Sequence, residues 1–71
     1  MKLMLSHPDG DRETSLEECL RFCRQFGAPL HVRNQEDYDH LLGLSLVAGT
    51  QLPEVQIATP NNWSVKIYFR E

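Results

Sequence analysis

The sequence predicts a small α/β domain of the two-layer α+β kind. Its elements run β-α-β-α-β-β, with two helices on one face of a four-stranded mixed sheet. Three observations carry this. Residues 14–27 form a one-sided helix with capping signals at both ends. Residues 63–70 alternate strictly between apolar and polar types. Short β-type runs at 2–5, 30–33 and 55–58 are separated by helical or turn-rich segments. The 71 residues make one compact domain, 1–71, whose 41% hydrophobic content is ordinary for a folded chain. A domain of this size buries only about 60% of its unfolded surface, so modest stability is expected.

Lys2 to Leu5 is apolar enough for a first, interior strand. Ser6-His7-Pro8-Asp9-Gly10-Asp11-Arg12-Glu13 reads as a polar loop with a Pro-Asp-Gly turn at its centre. In the helix that follows, Leu16, Cys19, Leu20, Phe22, Cys23 and Phe26 share one arc, and Glu17, Glu18, Arg21, Arg24 and Gln25 fill the other. Thr14 and Ser15 each have a Glu three residues later, so either can close a capping box. Gly27 stops the helix and Pro29 bars its resumption. Leu30-His31-Val32-Arg33 then alternates as a half-buried strand. Strand, helix and strand with so long a crossover imply a right-handed βαβ unit with parallel strands.

Asn34 is the expected cap of a second helix, with Glu36 and Asp37 in its first turn, where the helix dipole favours acids. Tyr38, Leu41, Leu42, Ser45 and Ala48 share a face at helical spacing. Gly43 falls on the exposed side at a cost of about 1 kcal/mol against Ala, so the helix could stop there and leave Leu44 to Val47 as a strand. Helix through Val47 or Ala48 is the preferred reading, because Gly49 is the better stop. Val55-Gln56-Ile57-Ala58 is a further short strand, and Pro60-Asn61-Asn62 is turn chemistry before the run from Trp63 to Arg70. These last two strands read as an antiparallel hairpin. Trp63, Val65, Ile67 and Phe69 are assigned to the core, and Ser64, Lys66, Tyr68 and Arg70 to the opposite side, with His31 and Arg33 beside them.

The net charge is −3, from ten acids against seven Lys and Arg, which leaves little long-range attraction for a nucleic-acid backbone or an anionic membrane. No apolar run reaches the about 18 residues of a membrane span. The amino terminus lacks a signal-peptide pattern, so the expected address is the cytoplasm. Free Cys19 and Cys23 suit a reducing compartment. At i, i+4 on one helix their side chains run side by side, so they read as small packing residues.

Motifs for chemistry are sparse. The acids at 9, 11 and 13 could chelate a hard cation, but they lack the spacing and terminal bidentate Glu of a calcium loop, and a solvated turn accounts for them equally. His7, His31 and His40 have no zinc spacing. No glycine-rich phosphate loop, nucleophile elbow or Cys-His pairing stands out. No cofactor and no enzymatic activity are expected.

The order of elements, together with the Leu52-Pro53 step before a short strand, resembles the thioredoxin and glutaredoxin families. That resemblance implies a cis-proline before the third strand and a Cys-x-x-Cys between the first strand and the first helix. Here the loop from Ser6 to Glu13 has no cysteine, Cys19 and Cys23 are one residue too far apart, and the final helix is missing. A degenerate thiol protein using Cys19 and Cys23 is therefore the alternative reading.

The preferred reading is a protein-binding module that acts as adaptor, subunit or inhibitor. Two surfaces are candidates. One is acidic, from Asp9, Asp11 and Glu13 in the first loop with Glu36, Asp37 and Asp39 at the start of the second helix. Such a surface would meet a basic partner, including a nucleic-acid-binding protein whose site it would occupy by mimicry. The other is the sheet face with Lys66, Tyr68 and Arg70, where a Tyr between cations has interface composition; the same cations also serve simply to protect a sheet from edge pairing. A short acidic chain without a cofactor is also the form that phage- or plasmid-type inhibitors of a host nucleic-acid-binding complex often take. Direct nucleic-acid binding and membrane binding are not expected, and an open sheet face leaves room for a homodimer.

Overall fold

The computed structural model describes residues 1–57 and 64–71. Trp63, Ala58 and the Pro60-Asn61-Asn62 turn, to which the sequence assigned roles, lie outside the described residues. The elements are β1 (Lys2–Leu5), β2 (Arg12–Glu13), α1 (Leu16–Phe26), β3 (Leu30–Val32), α2 (Gln35–Ala48), β4 (Val55–Ile57) and β5 (Val65–Arg70). They form a two-layer α+β domain with both helices on one face of a mixed, five-stranded sheet ordered β2-β1-β5-β3-β4.

Both helices end where their local chemistry says they should. Ser15 caps α1 by accepting the Glu18 N–H at 3.1 Å, and Gly27 closes it in the left-handed region at φ 61°. The Thr14 hydroxyl holds the Glu18 carboxylate at 2.9 Å, which fixes the first turn further. Asn34 caps α2 by accepting the Asp37 N–H at 2.9 Å. The helix runs past Gly43 to Gly49, which ends it at φ 67°. The strand alternative for Leu44 to Val47 is thereby excluded.

The sheet departs from expectation in three ways. A fifth strand is present, because Arg12 and Glu13 fold back on β1 in the pairs Leu5↔Arg12 and Met4↔Glu13. The Pro8-Asp9-Gly10 turn therefore belongs to a hairpin, with the Gly10 N–H donating to the His7 carbonyl at 3.0 Å. Next, β1 and β3 are not a parallel pair. β5 lies between them, antiparallel to β1 and parallel to β3, so β1 and β3 run in opposite directions. The parallel strand-helix-strand unit is instead β3-α2-β4. Finally, β4 and β5 are not a hairpin but flank β3, each parallel to it. The physical reason is burial. β5 has six residues with a strict apolar side and gains most in the middle of the sheet, while the three-residue β4 is half exposed and sits at the edge.

This order does not confirm a thioredoxin-like arrangement. No cis peptide bond occurs among the described residues, so Leu52–Pro53 is trans.

The register sorts the side chains. Leu3↔Phe69, Leu5↔Ile67 and Leu30↔Val65 face the helices and meet Cys19, Leu20, Cys23 and Leu41 in one core. Val65, Ile67 and Phe69 thus occupy the core side assigned to them. β3 is buried along its whole length, His31 included, rather than half-buried: strands flank it on both sides, and Leu30 and Val32 pack in the core under the helices. Of the stripe assigned to α2, Leu41 and Ser45 are buried, with Tyr38 partly so, whereas Leu42 and Ala48 are exposed.

Candidate functional site

The face of the sheet without helices collects the residues that alternate away from the core. Met4↔Tyr68, Lys2↔Arg70, His31↔Lys66 and His31↔Gln56 are paired across it. The expected basic face, with Lys66, Tyr68 and Arg70 beside His31 and Arg33, is therefore present. Lys66 is half-buried, with its ammonium 3.5 Å from the Ser64 carbonyl, and Arg70 is exposed.

Tyr68 is the hub of this face. Its hydroxyl donates to Asp11 Oδ2, and the Arg33 guanidinium lies 4.8 Å from its ring centroid. The Tyr68 bond holds the Asp11 carboxyl below its ordinary value, and the same bond raises the Tyr68 phenol. The two candidate surfaces, treated as separate in the sequence, thus meet at one bond between residues 57 positions apart. Nothing local signals this, because the β1–β2 hairpin that swings Asp11 over β5 is itself a tertiary outcome.

The other acids are scattered. Asp9 is exposed in the turn, its N–H donating to His7 Nδ1 at 3.1 Å. Glu13 is exposed on β2 opposite Met4. Asp37 is not a surface acid: its side chain is 5% exposed, and Arg33 binds it through Nε at 2.7 Å and Nη2 at 3.2 Å. Arg33 Nη2 also donates to the Phe69 carbonyl at 2.8 Å, tying α2 to the sheet, and the Asp37 bond holds the guanidinium pKa above its ordinary value. Glu36 and Asp39 do remain exposed. Glu36 lies 3.9 Å from His40, and Asp39 accepts from Gln35 Nε2 at 3.0 Å.

Sequence reasoning missed the most unusual surface of the molecule. Leu42, Leu44, Leu46 and Val47 of α2 are exposed, the last two at 74% and 90%. At about 100° per residue, Leu46, Gly43 and Val47 share the outward arc with Glu36 and Asp39. That side of α2 is acidic in its first half and apolar in its second. On its inner flank, Leu44 and Val47 line a groove of about 510 Å³ with Met1, Leu16, His40 and Phe69. The signal was visible in the sequence, since Leu44, Leu46 and Val47 fall outside the assigned core stripe.

A second hollow, of about 770 Å³, lies beside the β1–β2 turn against His7, Arg12, Phe22 and Phe26. Arg12 at its rim is engaged, because its Nη2 donates to Glu18 at 3.2 Å and the guanidinium lies 5.9 Å from the Phe22 ring centroid; Lys66 also lines it. Among the described residues no group of three or more His, Cys, Asp or Glu is placed to hold a metal ion, and no helix is long and apolar enough to cross a membrane.

Both cysteines lie in the core, at 0% and 5% exposure. Burial pushes the Cys19 thiol pKa up and that of Cys23 to about 11. Burial therefore leaves far less Cys23 thiolate at pH 7 than an ordinary exposed thiol has. Alkylation of the folded protein at pH 7 should be at least about 100-fold slower than in denaturant. Equal rates would restore the thiol reading.

Comparison with protein-family models, with curated proteins and with solved structures finds no match to this chain.

Proposed function

We propose that the chain is a protein-binding module, acting as an adaptor, subunit or inhibitor through the solvent side of α2. The observation that carries this is the exposure of Leu42, Leu44, Leu46 and Val47 on one 14-residue helix, next to an apolar groove. Four exposed large apolar side chains in the last two turns of one helix are uncommon on a domain that works alone and mark a contact site. The face around Tyr68 supports the reading less, since the Tyr68 hydroxyl and ring are both engaged by Asp11 and Arg33 within the chain.

The test is site-specific photo-crosslinking in the source cells. A benzophenone side chain at position 47 should give a discrete adduct with another protein, and one at the exposed Gln25 of α1 should not. Leu46→Asp, at a position where a polar change alters stability by only about 0.5 kcal/mol, should abolish the adduct. Equal labelling from both positions, or none from position 47, would reject the proposal.

A further inference from the structure

Resting on that reading, we infer that the occupant of the α2 surface is a basic amphipathic helix of another protein. Its apolar side chains would pack on Leu44, Leu46 and Val47, and its Lys or Arg residues would face Glu36 and Asp39.

Charge complementarity carries the choice of occupant. α2 contains no Lys or Arg, and its last turn has no basic residue to offset the negative end of the helix dipole. Its one buried acid, Asp37, is bonded to Arg33, whereas Glu36 and Asp39 are exposed on the outward arc, Glu36 3.9 Å from His40 and within the field of Arg33, and Asp39 bonded to Gln35. A partner helix laid along this arc meets carboxylates at one end and an apolar surface at the other, where the Ser45 and Leu46 carbonyls are already bonded by the Gly49 and Thr50 N–H groups. Cations at the end beside Glu36 and Asp39 therefore gain, and acids there lose.

A second copy of the chain fits poorly. A two-fold contact through α2 would bring no Lys or Arg of that helix to Glu36 and Asp39, and would leave those carboxylates unmatched by it.

The shape favours a helix. Gly43 lies in the middle of the outward arc, and a Cβ built there would meet nothing within 4 Å, so the bare backbone admits close approach of another helix. The apolar surface continues around Leu44 and Val47 into the groove floored by Phe69, which gives one large side chain of the partner a seat.

The probe is a pair of fluorescein-labelled amphipathic peptides with the same leucine pattern. One carries lysine on its polar face and the other glutamate. At physiological salt the Leu/Lys peptide should bind the full chain at least about tenfold more tightly than the Leu/Glu peptide. Leu46→Asn with Val47→Asn, which remove apolar surface without adding charge, should weaken it about tenfold, and Glu36→Lys with Asp39→Lys should remove or invert the preference. Amide shifts on binding should map to residues 36–48. Equal affinity for the two peptides, affinity unchanged by the Leu46 and Val47 substitutions, or a Leu46-dependent dimer in sedimentation would each overturn the inference. The two readings fail separately. A crosslinked partner at position 47 that docks through a neutral or acidic segment leaves the module standing and removes the basic helix. Absence of any adduct removes the module itself.

Discussion

Ile67→Ala should cost about 2–5 kcal/mol of folding stability, the range for emptying a large aliphatic site in a core that relaxes only in part. Ile67 is 2% exposed, sits at the middle of β5 opposite Leu5, and faces the helices. A chain of 71 residues has a total stability of about 4–10 kcal/mol, so the variant should be close to unfolding at 25 °C. The same substitution at Ile57 supplies the control. Ile57 lies on β4 at the sheet edge and is 39% exposed, so its loss should cost about 1 kcal/mol or less. Urea midpoints with unchanged slopes would read both values. Comparable losses at the two positions would contradict the placement of β5 at the centre and β4 at the edge.

Arg33→Met should destabilise the fold by about 1–3 kcal/mol. Removing one partner of a buried pair leaves the other charge uncompensated, at about 3–5 kcal/mol when both are fully buried. Here the Asp37 side chain is 5% exposed but that of Arg33 is 53% exposed, so water offsets part of the loss. Methionine keeps the apolar stem, and the change isolates the guanidinium with its bonds to Asp37 and to the Phe69 carbonyl. In an Asp37→Asn background the same substitution should cost about 1–2 kcal/mol less, a coupling that a double-mutant cycle measures directly. Additive losses would mean that Arg33 acts through its other contacts, the Phe69 carbonyl and the Tyr68 ring.

The two variants also bear on function. Neither residue belongs to the solvent side of α2, so any loss of partner binding should track unfolding. Leu46→Asp should do the reverse, losing binding with the fold intact. That contrast separates a contact surface from a scaffold residue even before the partner is known.

Several features were legible from the residues alone. Ser15, Gly27, Asn34 and Gly49 bound the helices, and the alternation of β5 sorted Val65, Ile67 and Phe69 from Lys66, Tyr68 and Arg70. These depend on hydrogen bonds and side-chain periods spanning a few positions, so a short window of sequence contains the cause. α2 was only half legible. It is apolar on more than one side in its last two turns, and the helical spacing that correctly placed Leu41 and Ser45 inward also placed Leu42 and Ala48 there, which are exposed.

Tertiary structure alone decided which strands are neighbours, in which direction they run, and where the charges end up. Strand neighbours are set by competition for the central seat of the sheet, which the longer β5 takes and the short β4 yields; that comparison spans the whole chain and appears in no segment of it. Once β5 lies between β1 and β3, the β1–β2 turn brings Asp11 to Tyr68, and Arg33 reaches both Asp37 and Phe69. The acids that look alike in the sequence then separate by physical circumstance. Asp11 is bonded to Tyr68, Asp37 is buried and paired, and Glu36 and Asp39 are left on the outward side of α2 beside its exposed leucines.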